Sequence, residues 1–390
     1  MRIVTNSDLI YFDNNATTQP LPDVVEAMLP YLAQQYANPS SVHPFGQSTR
    51  HAVEVARARV AALIHAQPKE IVFTSGGTES INLAIRGTVA MNPSRRRIVT
   101  TQVEHSAVLR VAEQLAEEGY AVEYVGVDSE GRIDEAEWGV KLTDDTAMAS
   151  IVHANNETGV LWDVAKLAAV AHDRGIPVHV DAVQSAGKIS IDVNAWPVQL
   201  VSLAAHKFHG PKGVGALYVR RRAHLKAMIL GGTQERELRG GTENVAGIVG
   251  AGVAAENAAN DEPIVSQHVR NLRDRFEAGV CERVPSARVN GRVADRIFNT
   301  SNVSFEGLQS EAILILLGEQ GICASAGSAC SSGSLEPSHV LKAMRIEERF
   351  AHGAIRFSFS RFNSPDEIEK AITVLPELIV RLARLMPQPA

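Results

Sequence analysis

The sequence has little that would suit a secreted, membrane-spanning or nucleic-acid-binding protein. Its 390 residues include only three cysteines, Cys281, Cys323 and Cys330, which indicates a reducing cytoplasm rather than a disulfide framework. No apolar run approaches the roughly 20 residues of a membrane span, and residues 1–8 have no apolar stretch of signal-peptide type. The net charge of −6 argues against nucleic acid or an anionic membrane as the main partner. We therefore expect a cytoplasmic protein.

The composition that is present is typical of an ordinary globular protein. Hydrophobic residues make up 45% of the chain and charged residues 21%, and there is no internal repeat or low-complexity segment. A chain of this length should build about two domains with large cores.

Short apolar runs alternate with helical patterns over the first part of the chain. Predicted strands cover residues 71–74, 98–101, 121–125, 147–153, 177–180, 198–205 and 215–219, with amphipathic helices such as 22–36, 47–65 and 164–174 before or between them. This alternation predicts a mainly parallel, doubly wound sheet. From Val245 the pattern changes to two helices, 245–257 and 265–284, and then to a mixture of strands and helices. We expect a smaller α+β domain there.

Polar residues follow five of the predicted strands. They are Thr78, His105, Asn156, Asp181 and Lys207. Ligands of such sheets bind beyond the carboxyl ends of the strands. Packing of the core alone would not demand polar residues at five strand ends, so the pattern predicts a binding site.

Lys207 lies in a glycine-rich turn between two apolar strands. Burying an unpaired ammonium is costly, and an uncharged amine that forms an imine with a carbonyl cofactor would avoid that cost. The alternative is a surface lysine on a polar turn, and the turn alone does not decide between them.

The segment Ser75 to Ser80 offers a place for an anion. A strand, a Gly-Gly-Thr turn and a helix start present free backbone N–H groups, although the same residues also suit an ordinary helix cap. The segment lacks the lysine of a nucleotide-binding P-loop.

Pyridoxal 5′-phosphate would use several of these residues together. Gly77 and Thr78 would hold its phosphate, Lys207 its aldehyde, and Asp181 its protonated ring nitrogen. His105 could stack on the ring or carry protons, and Gln184 and Asn156 could reach the ring oxygen. A helix cap at Asp181 and a satisfied core position at His105 are the structural alternatives, and the two amides have similar ones.

Cys330 lies in a loop of small residues, from Gly327 to Pro337. A cysteine in such a loop is exposed and becomes nucleophilic if its pKa is lowered, whereas Cys281 and Cys323 are expected to be inert. There is no CxxC pair, so the spacing argues against a metal site.

The motifs resemble the cysteine desulfurase family, pyridoxal-phosphate enzymes of fold type I that supply sulfur for iron–sulfur clusters. The resemblance runs nearly end to end and is most specific in residues 75–80, 206–213 and 327–330. Residues 207–210 and 239–244 are closer to the NifS branch, which is linked to nitrogenase maturation, than to the IscS branch.

The resemblance implies a fold, a reaction and a role for each site residue. It implies a large domain, residues 16–257, on a mainly parallel seven-stranded sheet, and a small domain, residues 1–15 and 258–390, which carries the cysteine loop. L-Cysteine would be converted to L-alanine in a homodimer, and the sulfur would pass to an iron–sulfur scaffold or other acceptor protein. The implied roles are cofactor attachment and proton transfer for Lys207, ring stacking and proton transfer for His105, the ring nitrogen for Asp181, the ring oxygen and substrate for Gln184 and Asn156, phosphate binding for Gly77, Thr78, His206 and the neighbouring subunit's Thr242, the substrate carboxylate for Arg356, and a persulfide on Cys330.

One position departs from the family pattern. The family usually has Ser or Thr three residues before the lysine, where this chain has Ala204, so we predict weaker cofactor retention than in relatives. The competing hypotheses are an aminotransferase or selenocysteine lyase of the same fold type, and a non-catalytic docking protein. Cys330 separates the main hypothesis from an aminotransferase, which needs no such thiol.

Overall fold

The structure is a computed structural model that describes residues 9–327 and 336–385. Its strands are β1 (Ile10–Tyr11), β2 (Ile71–Thr74), β3 (Arg97–Thr101), β4 (Ala121–Val125), β5 (Thr146–Val152), β6 (Val178–Asp181), β7 (Leu200–Ala204), β8 (Gly215–Val219), β9 (Arg288–Val289), β10 (Thr300–Ser304), β11 (Ile322–Cys323) and β12 (Ala354–Ser358). Its α-helices are α1 (Pro22–Ala33), α2 (Pro44–Leu63), α3 (Gly77–Met91), α4 (Ser106–Glu117), α5 (Glu135–Lys141), α6 (Val164–His172), α7 (Val245–Arg283), α8 (Ser310–Glu319), α9 (His339–Ala343), α10 (Glu348–Ala351) and α11 (Pro365–Leu385).

The largest sheet has seven strands in the order β2-β8-β7-β6-β5-β3-β4. Strand β8 is antiparallel to both of its neighbours, and every other pair is parallel. Strands β5, β6 and β7 are buried at every residue, as expected of a parallel sheet that is covered on both faces. The predicted mainly parallel seven-stranded sheet is therefore confirmed.

A second group of strands lies at the other end of the chain. Strands β9, β10 and β12 form an antiparallel sheet, and β1 pairs in parallel with β11. Phe12, Phe276, Phe357 and Phe359 pack in a hydrophobic cluster here that is separate from the cluster around the large sheet. Strand β1 thus pairs with a strand that lies more than 300 residues later in the chain.

The prediction of two helices, 245–257 and 265–284, is wrong, because helix α7 is continuous from Val245 to Arg283. It runs unbroken through Pro263, although proline removes a backbone hydrogen bond. Its first half packs in the cluster of the large sheet and its second half in the other cluster, and this packing overrides the local breaking signal. The predicted domain boundary lies inside this helix. Within residues 9–327 and 336–385, no helix is long and apolar enough to cross a membrane.

Candidate active site

A cavity of ≈ 280 Å³ opens where the carboxyl ends of the parallel strands meet. Strands β2, β3, β5, β6 and β7 all run toward it. Strand β2 has the same direction as β7, because β8 between them is antiparallel to both. The predicted site residues that line it are Gly77, Thr78, His105, Asn156, Asp181, Gln184, His206, Lys207 and Arg356. Thr242 is exposed and does not line the cavity. Cys330 lies outside the described residues.

Lys207 ends a short 3₁₀ turn, Ala205–Lys207, that directly follows β7. Its ammonium donates to the carbonyl oxygens of Asn15, at 2.5 Å, and Ala16, at 2.9 Å. These two carbonyl oxygens hold the amine at the wall of the cavity, which is where a carbonyl group could react with it.

Asp181 is the last residue of β6 and is only 4% exposed. Its Oδ1 accepts a hydrogen bond of 3.0 Å from the backbone N–H of Val183. Burial raises the pKa of the Asp181 carboxyl, while nearby His105 and Lys207 act in the opposite direction. A carboxylate in this position favours a positive charge placed against it in the cavity.

His105 caps the start of α4. Its Nδ1 accepts a hydrogen bond of 3.1 Å from the backbone N–H of Ala107, so the proton of the neutral ring is on Nε2. Burial lowers the pKa of His105; Asp181 opposes this shift, and Lys207 and His339 add to it. The ring is therefore neutral near pH 7.

The start of α3 forms one end of the cavity. Gly76 occupies the cap position without a side-chain hydrogen bond, which leaves the first N–H groups of the helix for a ligand. A Cβ atom on Gly77 would lie 2.9 Å from Val183 Cγ2 and 3.6 Å from the Cβ of Ala204. Glycine is therefore needed at this turn, and Ala204 is its close neighbour.

His206 also lines the cavity. Its Nδ1 is 3.2 Å from the hydroxyl of Thr17. Burial lowers the pKa of His206 to about 4, with Lys207 and Lys212 adding to the shift. It would therefore contact an anion near pH 7 as a neutral hydrogen-bonding group.

Arg356, in β12, lines the cavity and is 2% exposed. It donates to Asp13 Oδ1 at 2.7 Å and to the carbonyl oxygen of Asn156 at 3.1 Å. Its Nε is buried without an acceptor in the part of the chain that the structure describes. A guanidinium that lines the cavity suits an anionic group such as a carboxylate.

Three residues around the cavity were not assigned from the sequence. Asp13 pairs with Arg356, and the carbonyl oxygen of Asn15 accepts from both Gln184 and Lys207. Lys188 donates to Gln184 at 3.0 Å. The spacing of four residues between Gln184 and Lys188 was a usable signal, as was the polar cluster that follows β1.

The two described cysteines fit the expectation of unreactive thiols. Cys281 and Cys323 are both half-buried, and burial raises the pKa of each thiol. Among residues 9–327 and 336–385, no group of three or more His, Cys, Asp or Glu side chains could hold a metal ion.

Comparison with known proteins assigns the family. The model of the class-V aminotransferases matches residues 10–371. The chain belongs to this family. It is 48% identical over 380 residues to a cysteine desulfurase of Nostoc sp. (strain PCC 7120), covering 97% of this chain and 95% of that protein. It is 46% identical over 379 residues to the cysteine desulfurase NifS of Azotobacter vinelandii, covering 97% and 94%.

A solved structure described as a NifS-like protein has the same fold. It superposes with a TM-score of 0.90 at 37% identity, covering 96% of this chain and 100% of that chain. The predicted fold type and the resemblance to the NifS and cysteine desulfurase proteins are confirmed. Enzymes of this family depend on pyridoxal phosphate.

Proposed function

We propose that the chain is a pyridoxal-phosphate-dependent cysteine desulfurase that converts L-cysteine to L-alanine and takes the sulfur on Cys330 as a persulfide. The observation that carries the proposal is the cavity in which Lys207, Asp181 and Arg356 meet, in a chain 48% identical to a named cysteine desulfurase.

The residues of the cavity fit the family's cofactor. The uncapped start of α3 and the close approach at Gly77 suit a phosphate group, with Thr78 and His206 beside it. Asp181 would hold a proton at the ring nitrogen, and Lys207 would carry the aldehyde carbon. His105, neutral and fixed by Ala107, would lie on the ring. When bound, this cofactor supplies an electron sink that weakens bonds at the substrate carbon.

Arg356 would bind the carboxylate of L-cysteine. Its side chain lines the cavity, and Asp13 holds the guanidinium through Nη2. Asn156 lines the cavity next to it and would contact the same substrate. Lys207 would move the proton at the substrate carbon.

The sulfur atom would pass to Cys330. The net change balances as L-cysteine and the Cys330 thiol giving L-alanine and a Cys330 persulfide. An acceptor protein would then receive the outer sulfur atom. The relationship to NifS supports an iron–sulfur scaffold as that acceptor and a role in nitrogenase maturation. The three cysteines of the chain support a cytoplasmic location.

Two side-chain changes test the reaction. The purified wild type should absorb visible light with bound pyridoxal phosphate and should release alanine and sulfide from L-cysteine in the presence of a reductant. Lys207→Ala should lose the linked chromophore. Cys330→Ser should keep it and lose sulfide release, and desulfurase turnover in that variant would remove Cys330 from the mechanism.

We also propose that the enzyme is a homodimer in which Thr242 contacts the phosphate of the neighbouring subunit. Thr242 is exposed and does not line the cavity of its own chain. Lys207→Ala and Thr242→Ala subunits, each impaired alone, should regain activity when mixed and allowed to exchange, because one of the two hybrid sites would then be intact. Absence of any regain in verified hybrids would contradict this arrangement.

The assignment of residues 16–257 to a large domain, and of 1–15 and 258–390 to a small one, belongs to the same proposal. The two separate hydrophobic clusters support it. Residues of both parts line the cavity, Lys207 from the first and Arg356 from the second. Binding of L-cysteine would therefore bridge the two parts.

A further inference from the structure

Lys188 is a buried lysine beside the cavity that the proposed chemistry does not use. It is 8% exposed and lies in the turn that follows β6. Its ammonium donates to Gln184 Oε1 at 3.0 Å and to Asn15 Oδ1 at 3.4 Å. No carboxylate of the described residues is within ion-pair distance of Lys188. Burying the charge of a lysine without a counter-charge costs free energy, so the presence of Lys188 at this position needs an explanation. Its two hydrogen-bond acceptors provide one.

Those acceptors define the orientation of the Gln184 amide. An ammonium only donates hydrogen bonds, so the amide atom that faces Lys188 has to be the oxygen. A carbonyl oxygen only accepts, so the amide atom that faces Asn15 O, at 2.9 Å, has to be the nitrogen. Two neighbours of opposite kind leave Gln184 one orientation. Without Lys188, the amide oxygen would lose the partner that fixes it.

Asn15 links the same ammonium to Lys207. The side-chain oxygen of Asn15 accepts a hydrogen bond from Lys188. Its backbone oxygen accepts hydrogen bonds from the Gln184 amide and from the Lys207 ammonium. Asn15 is 2% exposed and is also bonded to Thr300 and Ser358. Lys188 therefore helps to hold Asn15, whose backbone oxygen in turn holds the Gln184 amide and the Lys207 ammonium.

We propose that Lys188 is a positioning residue of the cofactor site, which holds the Gln184 amide so that its N–H rather than its carbonyl oxygen meets the ring oxygen of pyridoxal phosphate. The inference rests on the proposed function, because it requires this cofactor in the cavity. The ring oxygen carries negative charge and accepts hydrogen bonds. A reversed amide would place two acceptors against each other and weaken binding.

The test compares cofactor binding in Lys188→Met with that in wild type at pH 6. Burial, with Lys207 and Arg356 adding to it, lowers the pKa of Lys188 to about 7, so the ammonium is protonated at this pH. We expect the dissociation constant of pyridoxal phosphate to rise about tenfold, which corresponds to one hydrogen bond to a charged group. The visible absorption maximum should also shift. Lys188→Arg, which only donates, should restore both properties.

A double-mutant cycle shows whether Lys188 acts through Gln184. In a Gln184→Met background, Lys188→Met should change the dissociation constant by less than about twofold, because no amide remains to be oriented. Independent, additive effects of the two changes would overturn the proposal, as would an unchanged dissociation constant and spectrum in Lys188→Met. If Lys188→Met does not fold, Lys188→Gln serves instead, since a glutamine can donate or accept and no longer dictates the orientation.

Lys141→Met is the matched control. Lys141 is also a lysine that donates to an oxygen acceptor, here the backbone oxygen of Tyr124, but it lies on α5 and pairs with Glu137. Its removal should leave cofactor affinity and spectrum unchanged. Failure of the wild type to bind pyridoxal phosphate would contradict the proposed function, whereas normal binding by wild type and Lys188→Met alike would contradict only the role of Lys188.

Discussion

Asp13 holds the guanidinium that would bind the substrate carboxylate. Asp13→Ala removes the acceptor of Arg356 Nη2 and should raise KM for L-cysteine about tenfold, with a smaller change in kcat. Asp13→Asn keeps an acceptor oxygen and should stay within about threefold of wild type. Steady-state measurement of KM and kcat for L-cysteine in both variants tests this prediction. A KM in Asp13→Ala equal to that of wild type would mean that Arg356 needs no such support.

Ala204 replaces a hydroxyl residue that is usual in the family. Its Cβ lies close to Gly77 at the anion-binding end of the cavity, so Ala204→Ser would place a hydroxyl there. We expect Ala204→Ser to lower the dissociation constant of pyridoxal phosphate about threefold to tenfold, measured by titrating the cofactor-free protein. Ala186→Ser, at a buried position that does not line the cavity, is the control for the added hydroxyl. Equal retention in Ala204→Ser and wild type would show that other groups already fill this role.

Glu104 makes stability depend on pH. Burial raises the pKa of this carboxyl to about 8, so the folded protein keeps a proton that the unfolded chain loses near pH 4.3. The contribution of Glu104 to the stability of the wild type should therefore fall as pH rises from about 4.3 to 8, and this contribution should be absent in Glu104→Gln. The variant should gain up to about 3 kcal/mol over wild type between pH 5 and pH 8.

Denaturant unfolding of the cofactor-free proteins at both pH values measures this difference. Glu113→Gln, at an exposed position of the next helix, should show no pH-dependent gain. An equal gain at pH 5 and pH 8 in Glu104→Gln would mean that Glu104 is ionised in the folded state.

At the scale of elements, α2 and α7 approach each other closely at a glycine. A Cβ on Gly252 of α7 would lie 2.6 Å from the Cα of Ala56 on α2, and backbone cannot move aside cheaply. Gly252→Ala should lose about 1–3 kcal/mol of unfolding free energy. Gly139→Ala on α5 is the matched control, because a Cβ there meets nothing within 4 Å, and it should gain up to about 1 kcal/mol. Thermal melts of both variants check the contrast.

The elements of the large sheet could be predicted from the sequence because burial on both faces produces short apolar runs. Strands β5 and β6 show this directly, and the polar residues at their ends follow from the shared strand direction. The continuity of α7 could not be predicted. Pro263 and its polar neighbours indicate a break, and only packing of both halves against different clusters keeps the helix intact.

The cavity wall was partly predictable for a similar reason. Asp181 ends β6 and Lys207 lies just after β7, and these two strands are neighbours in the sheet. The hydrogen bond between Lys188 and Asn15 joins residues 173 positions apart, and no local pattern states which loops will meet. The ion pair between Asp13 and Arg356 joins residues 343 positions apart, so it could not be predicted from a local sequence pattern either.

For the whole molecule, α7 should couple the two hydrophobic clusters into one cooperative unit. We expect the cofactor-free protein to unfold in a single calorimetric transition. Ala259→Pro, at an exposed position in the middle of α7, removes a helical hydrogen bond at a cost of about 3 kcal/mol and should split or broaden that transition. Ala259→Ser should leave it single. Two separate transitions in the wild type would contradict the coupling.

Asn14 and Asn15, which follow β1, form hydrogen bonds with Ser358 at the end of β12. The backbone N–H of Asn15 donates to the Ser358 hydroxyl, and the Asn14 side chain donates to the Ser358 carbonyl oxygen, across 343 and 344 positions. During synthesis Asn14 and Asn15 therefore find these partners only after Ser358 has left the ribosome. Until residue 358 has emerged, a nascent chain therefore lacks the finished cavity, and a ligand of this cavity would bind only afterwards.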